Sequence, residues 1–151
     1  VESAAQMYEA ATAKGQQANV AILCAAVADF TPETTASEKI KREGDDLVLR
    51  LKPTRDIAAT LGKTKREDQM LVGFALETCD EVAHAQDKLR SKNLDFIVLN
   101  SLRTPGAGFR TDTNQISIIS AEGKKDFPLK PKQEVANDIV SEISLRLAPR
   151  A

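Results

Sequence analysis

The longest uninterrupted apolar stretch of the chain covers residues 20–28 and ends on Asp29. Its small and β-branched residues lack polar alternation, which predicts a strand buried on both faces, as in a parallel sheet. Two similar runs, at residues 70–75 and 95–100, predict further strands. Because ligands bind beyond the carboxyl ends of strands in open α/β sheets, the residues that follow these runs are the first site candidates.

Four segments have the apolar spacing of helices. The first is predicted from an N-cap at Ser3 to residue 14, and the second covers residues 57–63, with Thr54 or Asp56 as its cap. Thr78 and Glu81 form a capping box, which predicts a third helix over residues 78–92. Residues 133–147 carry an apolar position every fourth residue, which predicts the fourth helix.

Two predicted hairpins interrupt the series of strands and helices. Residues 38–51 are predicted to form the first around Gly44, with residues 31–37 before them as a loop. Since this hairpin has little apolar surface on its first arm, we expect it to project from the sheet as a flap. Residues 115–129, with a turn at Glu122 and Gly123, predict an antiparallel hairpin at the sheet edge.

The order of elements predicts an α/β fold. Strands that alternate with helices indicate a three-layer, Rossmann-like domain with a mostly parallel sheet, a projecting flap and an antiparallel edge hairpin. Residues 1–151 are taken as one domain. A doubly wound domain normally opens with a strand and a Gly-rich turn, whereas this chain opens with a helix. We therefore expect the N-terminal unit of the fold to be missing.

Composition and charge argue against several classes of function for this chain. A net charge of −1 argues against nucleic acid or an anionic membrane as a partner, and the longest apolar run is too short to span a bilayer. The two cysteines, Cys24 and Cys79, have no metal-binding spacing and are expected to be reduced in the cytoplasm. A nucleophilic triad would have to use His84, the single histidine, which is predicted mid-helix among charges.

Acidic and basic residues near the strand ends suggest two kinds of chemistry. Asp29 is either a loop acid or a ligand for a ribose or for Mg²⁺, since hard cations prefer carboxylate oxygen. Lys39 and Lys41 share one face of the flap, either as charges on an exposed edge or as partners of a phosphoryl group.

Later positions have the same double interpretation. Lys88 and Lys92 stand four residues apart on one helix face, which is either solvated or phosphate-binding. Phe74 is either core or a ligand contact, and Asn100 either closes a turn or holds a polar group of a ligand. Because the carboxyl ends of successive parallel strands converge, their common placement favours one site.

Taken together, these segments resemble a known family. The motifs lie at residues 25–30, 39–41, 56–57, 73–78, 88–95 and 108–114, with Asn100 between the last two. In this order they resemble phosphopantothenoylcysteine synthetase, the domain usually fused to phosphopantothenoylcysteine decarboxylase in bacteria. The resemblance covers nearly the whole chain.

The resemblance implies a ligase of coenzyme A biosynthesis. Such enzymes join 4′-phosphopantothenate to cysteine with CTP and Mg²⁺, through an acyl-cytidylate, and release pyrophosphate and then CMP. They are homodimers whose sites use both protomers, which fits a flap that cannot bury itself. FMN would be present only if a decarboxylase domain belongs to the parent chain. Because the family's opening strand, Gly-rich turn and Asn-containing segment are absent, we expect this chain alone to be weakly active or inactive.

The resemblance also implies roles for individual residues. Lys39 matches the flap lysine, which would be catalytic, and Asn100 would contact the substrate. Asp29 would bind the nucleotide and its metal ion. The other implied nucleotide contacts are Leu23, Cys24, Ala25, Arg55, Asp56, Ile57, Ala58, Phe74, Lys88 and Lys92.

Three positions depart from the family pattern. Arg55 stands where many members have Pro, Leu76 replaces a common Ala, and Ser101 replaces a common Asp. Two alternatives stay open: a dinucleotide-binding oxidoreductase domain, although no G-x-G-x-x-G follows a strand, and a non-catalytic dimerisation module.

Overall fold

The computed structural model describes residues 1–42, 44, 46–77, 81–101 and 111–148. In chain order its elements are α1 (Ala4–Gly15), β1 (Val20–Leu23), β2 (Phe30–Pro32), β3 (Leu51–Pro53), α2 (Ile57–Thr64), β4 (Met70–Glu77), α3 (Glu81–Ser91), β5 (Phe96–Ser101), β6 (Thr113–Asn114), β7 (Ile116–Ser120), β8 (Gly123–Asp126), β9 (Lys130–Pro131) and α4 (Lys132–Leu147). In this part of the chain, the helices are all too short or too polar to cross a membrane.

The central sheet has five strands in the order β1-β4-β5-β7-β8. The first three are parallel to one another, and β7 and β8 continue the sheet antiparallel. This arrangement confirms the predicted α/β class, the parallel centre and the antiparallel edge hairpin. A parallel pair needs a crossover, and α3 supplies it between β4 and β5.

Helices cover both faces of the sheet, which confirms the three layers. On one face, Leu61 of α2 and Leu89 of α3 pack against Leu71 and other core residues of the strands. On the opposite face, α4 packs against Val72, Phe96 and their neighbours. The buried residues of α4 are Val135, Ile139, Glu142 and Ile143, so the fourfold spacing predicted its inner face correctly.

The N-caps predicted for the first two helices are present, at Ser3 and at Asp56. Ser3 caps α1 in a capping box with Gln6. Asp56 caps α2, because its carboxylate accepts the Ala59 N–H at 2.9 Å. The predicted capping residue Thr78 lies outside the described residues, and α3 is described from Glu81.

Strand β1 corrects the prediction for residues 20–28. The strand ends at Leu23 and pairs only with β4 among the described strands, so it is an edge strand. Ile22 is 43% exposed, and Cys24 is exposed rather than buried in a strand. Apolar composition predicted burial, but burial on both faces requires neighbours that an edge strand lacks.

The flap is also paired differently from the prediction. Its ladder joins β2 to β3, so the strand Phe30–Pro32 falls partly within the predicted loop. Residues 33–42 and 46–50 contain no strand, and Val48 is 82% exposed. Gly44 has a φ of +90°, which suits the predicted turn. Within the described residues of the flap, pairing is limited to the ladder between Phe30–Pro32 and Leu51–Pro53.

A two-residue ladder between β6 and β9 was not predicted. Two residues carry no periodicity, so no hydrophobic pattern could indicate it. The ladder begins at Thr113, and residues 102–110 before it lie outside the described residues.

An ion-pair network joins α4 to the edge hairpin. Arg146 donates to Glu122 and Glu142 at 3.0 Å each, and Lys125 contacts Glu142 at 2.9 Å. The Ser120 hydroxyl and Arg146 lower the pKa of Glu122 from 4.5 to about 2. The hydrogen bond from Lys125 outweighs partial burial and also lowers the pKa of Glu142.

This network predicts a loss of stability in acid. Both folded pKa values lie below the unfolded ones, so the stabilisation is complete above pH 4.5 and falls as the pH approaches 2. We expect the urea midpoint to fall across this interval, and to fall less steeply in Arg146→Met. Arg90→Met, which breaks an exposed pair with Asp87, serves as the control and should keep the wild-type slope. Equal slopes in the Arg146 and Arg90 variants would contradict the assignment.

Candidate functional site

The sheet register places the candidate strand ends at one edge. Glu77 is paired with Ser101, so β4 and β5 end side by side, whereas Leu23, the last residue of β1, is paired with Gly73 in the middle of β4. Cys24 and Ala25 follow β1 at this edge and are exposed. The three parallel strands therefore run toward the same edge, as predicted, but β1 ends four residues before β4 does.

The segment that carries Asp29 is tied to the start of α2. The Thr54 N–H donates to the Asp29 carbonyl at 2.9 Å, and the Thr54 hydroxyl donates to the Ala28 carbonyl at 2.6 Å. These bonds hold Asp29 next to the residue that precedes Arg55, while the Asp29 carboxylate stays exposed. Two candidate segments far apart in sequence thus become neighbours.

Lys92, which follows the last residue of α3, also extends to the start of α2. Its ammonium lies 2.9 Å from Asp56 Oδ2, and its backbone carbonyl packs against Gly62 of α2. Partial burial acts to raise the pKa of Asp56, but the Ala59 N–H and Lys92 outweigh it and hold that pKa below its usual value. The Lys92 side chain therefore extends along α2 to the N-terminus of that helix.

Arg55 is held between α1 and α2. Its guanidinium lies 3.8 Å from the centroid of the Tyr8 ring and 2.5 Å from Glu9 Oε1. The Tyr8 hydroxyl in turn contacts Thr60 Oγ1 at 3.2 Å. The contact with Glu9 offsets the charge that Arg55 brings to the start of α2.

The start of α2 suits a bound anion. Helix N-termini present free N–H groups and the positive end of the helix dipole. Arg55 and Lys92 add cationic groups there, and half-buried Lys88 lies one turn before Lys92 on α3. Ile57 and Ala58 form the first turn of the helix. A phosphate group bound here would compete with Asp56 for Lys92 and the Ala59 N–H, and with Glu9 for Arg55.

Phe74 and Asn100 do not share that location. The Phe74 side chain packs with the core beneath α4, whereas α2 and α3 cover the opposite face of the sheet. Asn100 is paired with Leu76, and its side chain bonds to Asn114. The structure thus divides the candidates between two faces that meet at the carboxyl edge, because successive strand residues point to opposite faces.

Lys39 lies on the exposed flap, outside the β2–β3 ladder. The described residues provide it with no ion pair to the other candidates. Among the described residues, no three carboxylate, histidine or cysteine side chains gather as a metal site. A Mg²⁺ ion carried by phosphates needs only one or two carboxylates, so exposed Asp29 is compatible with that role.

Sequence reasoning missed Tyr8, Glu9, Thr54 and Asn114. Each contacts a candidate residue only because separate elements pack together. Asn114 lies within a segment that carries the family resemblance, but its spacing gave no indication of its partner.

Comparison with known protein families identifies the family of this chain. The family described as the C-terminal domain of the DNA/pantothenate metabolism flavoprotein matches residues 1–146. The chain belongs to this family. The resemblance noted in the sequence is thereby confirmed.

The similar proteins include one named as a decarboxylase and others named as bifunctional proteins of coenzyme A biosynthesis. A cysteine/cysteine sulfinic acid decarboxylase from an unknown prokaryotic organism is 56% identical over 144 residues, covering 95% of this chain and 40% of that protein. The coenzyme A biosynthesis bifunctional protein CoaBC of Bacillus subtilis (strain 168) is 44% identical over 145 residues, covering 95% of this chain and 36% of that protein. The chain thus spans well under half the length of these relatives.

A solved structure shares the fold. The C-terminal domain of a coenzyme A biosynthesis bifunctional protein CoaBC superimposes with a TM-score of 0.79 and 36% sequence identity. The match covers 99% of this chain and 65% of that structure. The mixed sheet and the hairpins described above are therefore features of the family fold.

Proposed function

We propose that the protein to which this chain belongs joins 4′-phosphopantothenate to cysteine in coenzyme A biosynthesis, with CTP as co-substrate. Membership of the pantothenate-metabolism family and the likeness to CoaBC support this function. The observation that carries it is the ion pair between Asp56 and Lys92 at the start of α2, beside the Asp29 segment. Four predicted nucleotide contacts, counting Arg55, thereby converge from three separate segments.

The proposed reaction has two steps. The carboxylate of 4′-phosphopantothenate attacks the α-phosphorus of CTP, so a C–O–P linkage forms, the bond to the β-phosphate breaks, and pyrophosphate leaves. The cysteine amine then attacks the acyl carbon and loses a proton. The new C–N bond forms as the acyl C–O bond breaks and CMP departs.

The two groups of candidate residues divide this work. The N-terminus of α2, with Arg55, Lys92 and Lys88, would hold the triphosphate by charge and backbone N–H groups. Phe74 and Asn100, on the other face, would contact the parts of the reactants that cross the carboxyl edge. Leu23, Cys24 and Ala25, at the end of β1, would supply backbone contacts to the nucleotide.

Magnesium and the flap belong to the same proposal. Asp29 would hold Mg²⁺, which would offset phosphate charge when bound. Lys39 would approach the α-phosphate and stabilise the charge that develops in the transition state.

We further propose a homodimer formed through the flap. Leu47, Val48 and Leu49 are 66%, 82% and 60% exposed, and together they form an apolar surface that a second protomer would cover. A cytoplasmic location, and FMN bound by a decarboxylase domain if the parent chain has one, complete the proposal.

The decisive experiment uses the full-length parent protein. Pyrophosphate release is measured with 4′-phosphopantothenate and Mg²⁺, first with CTP and then with ATP, before cysteine is added. We expect release that needs 4′-phosphopantothenate and is faster with CTP, and amide product only after cysteine is added. Absence of pyrophosphate release with either nucleotide would overturn the ligase proposal, and equal rates would overturn the CTP preference.

The contact between Arg55 and Glu9 predicts a specific change in nucleotide affinity. In Glu9→Gln, the guanidinium loses a competing carboxylate and becomes available to phosphate. Since exposed ion pairs contribute about 0.2–1 kcal/mol, we expect CTP to bind roughly 1.4- to fivefold more tightly. Calorimetric titration measures this, with Glu134→Gln at the start of α4 as the control. Unchanged or weaker binding in Glu9→Gln would contradict a role for Arg55 at the phosphates.

A further inference from the structure

Two asparagine side chains form a hydrogen-bonded pair where β5 ends. The Asn114 Nδ2 donates to Asn100 Oδ1 at 2.6 Å, and the Asn100 Nδ2 donates to the Ala75 carbonyl at 3.4 Å. The Gln115 N–H donates to Asn114 Oδ1 at 3.0 Å. Both asparagines are partly buried, and the pair connects β6 to the carboxyl ends of β4 and β5.

Backbone groups at the two ends of this asparagine pair fix the orientation of both side-chain amides. The Gln115 N–H can only donate, so Asn114 must turn its oxygen to it and its NH₂ group to Asn100. Asn100 must then present its oxygen to Asn114, which leaves its own NH₂ group toward the Ala75 carbonyl. Reversal of either amide would bring two acceptors or two donors together, at the full cost of unmade hydrogen bonds.

The strand that carries Asn114, β6, is itself anchored. Strand β6 pairs with β9, directly before α4 begins. The Lys132 N–H also donates to the Asp112 carbonyl at 2.9 Å. Because these backbone bonds hold β6 against the start of α4, Asn114 is a fixed support for Asn100.

This arrangement determines what Asn100 offers to a ligand. Its oxygen accepts the Asn114 bond with one of its two lone pairs, and one hydrogen of Nδ2 has no acceptor among the described residues. Asn100 therefore presents a hydrogen-bond donor at the carboxyl edge, which suits an oxygen that accepts, such as an acyl or phosphoryl oxygen.

We propose that Asn114 is a positioning residue, which holds Asn100 so that its Nδ2 donates to an acyl or phosphoryl oxygen of the substrate. This role rests on the proposed ligase function. Asn114 acts through Asn100 and has no contact of its own with the substrate. The two residues should consequently behave as one unit in activity measurements.

A double-mutant cycle in the full-length protein tests this. Asn100→Ala, Asn114→Ala and the double variant are compared by kcat/KM for 4′-phosphopantothenate in CTP-dependent pyrophosphate release. Loss of one hydrogen bond to a charged or polar oxygen predicts a decrease of about tenfold for each single variant. The double variant should be no less active than Asn100→Ala, since Asn114 has nothing left to position. The Kd for CTP should stay at the wild-type value in all three.

Asn114→Asp tests the orientation itself. The acid keeps the acceptor for the Gln115 N–H but replaces the donor to Asn100, so we expect the same loss of activity as in Asn114→Ala. Asn137→Asp, on the exposed surface of α4, is the matched control and should match wild type. Thermal midpoints and CTP binding verify that each variant is folded.

The outcomes separate the two proposals. Wild-type activity in Asn114→Asp, or losses that multiply in the double variant, would overturn the positioning role and leave the ligase function standing. A wild-type protein that releases no pyrophosphate from CTP would overturn the ligase function, and the positioning role with it.

Discussion

Replacement of Lys39 by Gln is expected to reduce CTP-dependent pyrophosphate release by about 10²–10³-fold, the range found when one preorganised group that stabilises transition-state charge is removed. Glutamine keeps much of the side-chain length but has no positive charge with which to offset the negative charge that develops at the α-phosphate. Lys39 is exposed on the flap, so the thermal midpoint should not change. Single-turnover measurement of pyrophosphate in the full-length protein checks the chemical step directly.

A matched variant separates charge at the reaction from charge on the flap. Lys52→Gln removes an exposed lysine from β3, at the base of the same flap, and should keep full activity. Both variants should keep the wild-type oligomeric state in sedimentation, because neither removes apolar flap surface. If Lys39→Gln released pyrophosphate at the wild-type rate, the catalytic role would be wrong, and the dimerisation-module alternative would gain support.

Replacement of Gly62 by Ala is expected to destabilise the domain by about 3 kcal/mol, at the upper end of the range for overpacked sites. A Cβ at Gly62 would lie 1.9 Å from the Lys92 carbonyl oxygen and 2.7 Å from its carbonyl carbon. Both atoms are backbone, so α2 and the end of α3 must move apart. The clash outweighs the roughly 1 kcal/mol by which alanine favours a helix interior over glycine.

The same substitution should weaken CTP binding. The Asn93 side chain donates to the Gly62 carbonyl at 2.9 Å, and Lys92 reaches Asp56 from the same junction. A shift there would displace the Lys92 ammonium from the start of α2. Urea unfolding and calorimetric titration of CTP measure the two effects independently.

Gly15→Ala is the control for this prediction. The atoms nearest to its added Cβ are the terminal methyl carbons of Leu61, at 2.7 and 3.0 Å. A side chain can move where a backbone cannot, so we expect a loss below about 1.5 kcal/mol. Equal losses at Gly15 and Gly62 would show that the α2–α3 junction is not rigid.

Local patterns predicted the helices, the central strands and the edge hairpin. The caps at Ser3 and Asp56 depend on contacts three residues away, and the buried side of α4 depends on fourfold spacing. The prediction for residues 20–28, which depended on unseen neighbours, was wrong. Residues 20–28 looked fully buried, yet Ile22 and Cys24 lie on and just beyond an edge strand.

The candidate site shows the same division. The resemblance supplied the residue types, and the strand register brings their segments to one edge. Sequence spacing could not show that Phe74 lies on one face of the sheet and α3, which carries Lys88, on the other, because the face depends on which helices pack where. The roles of these residues stay predictions until the variants above are measured.

By itself, the sequence determined the helices, the central strands, the α/β class and the family, since each depends on residue order and short-range spacing. The tertiary structure alone decided which side chains meet. Arg55 and Glu9 are 46 residues apart, and Asn114 and Asn100 are 14 apart. Helix packing brings the first pair together, and β6 brings the second to the end of β5. Such contacts follow from the burial of apolar faces over the whole chain, which no local pattern specifies.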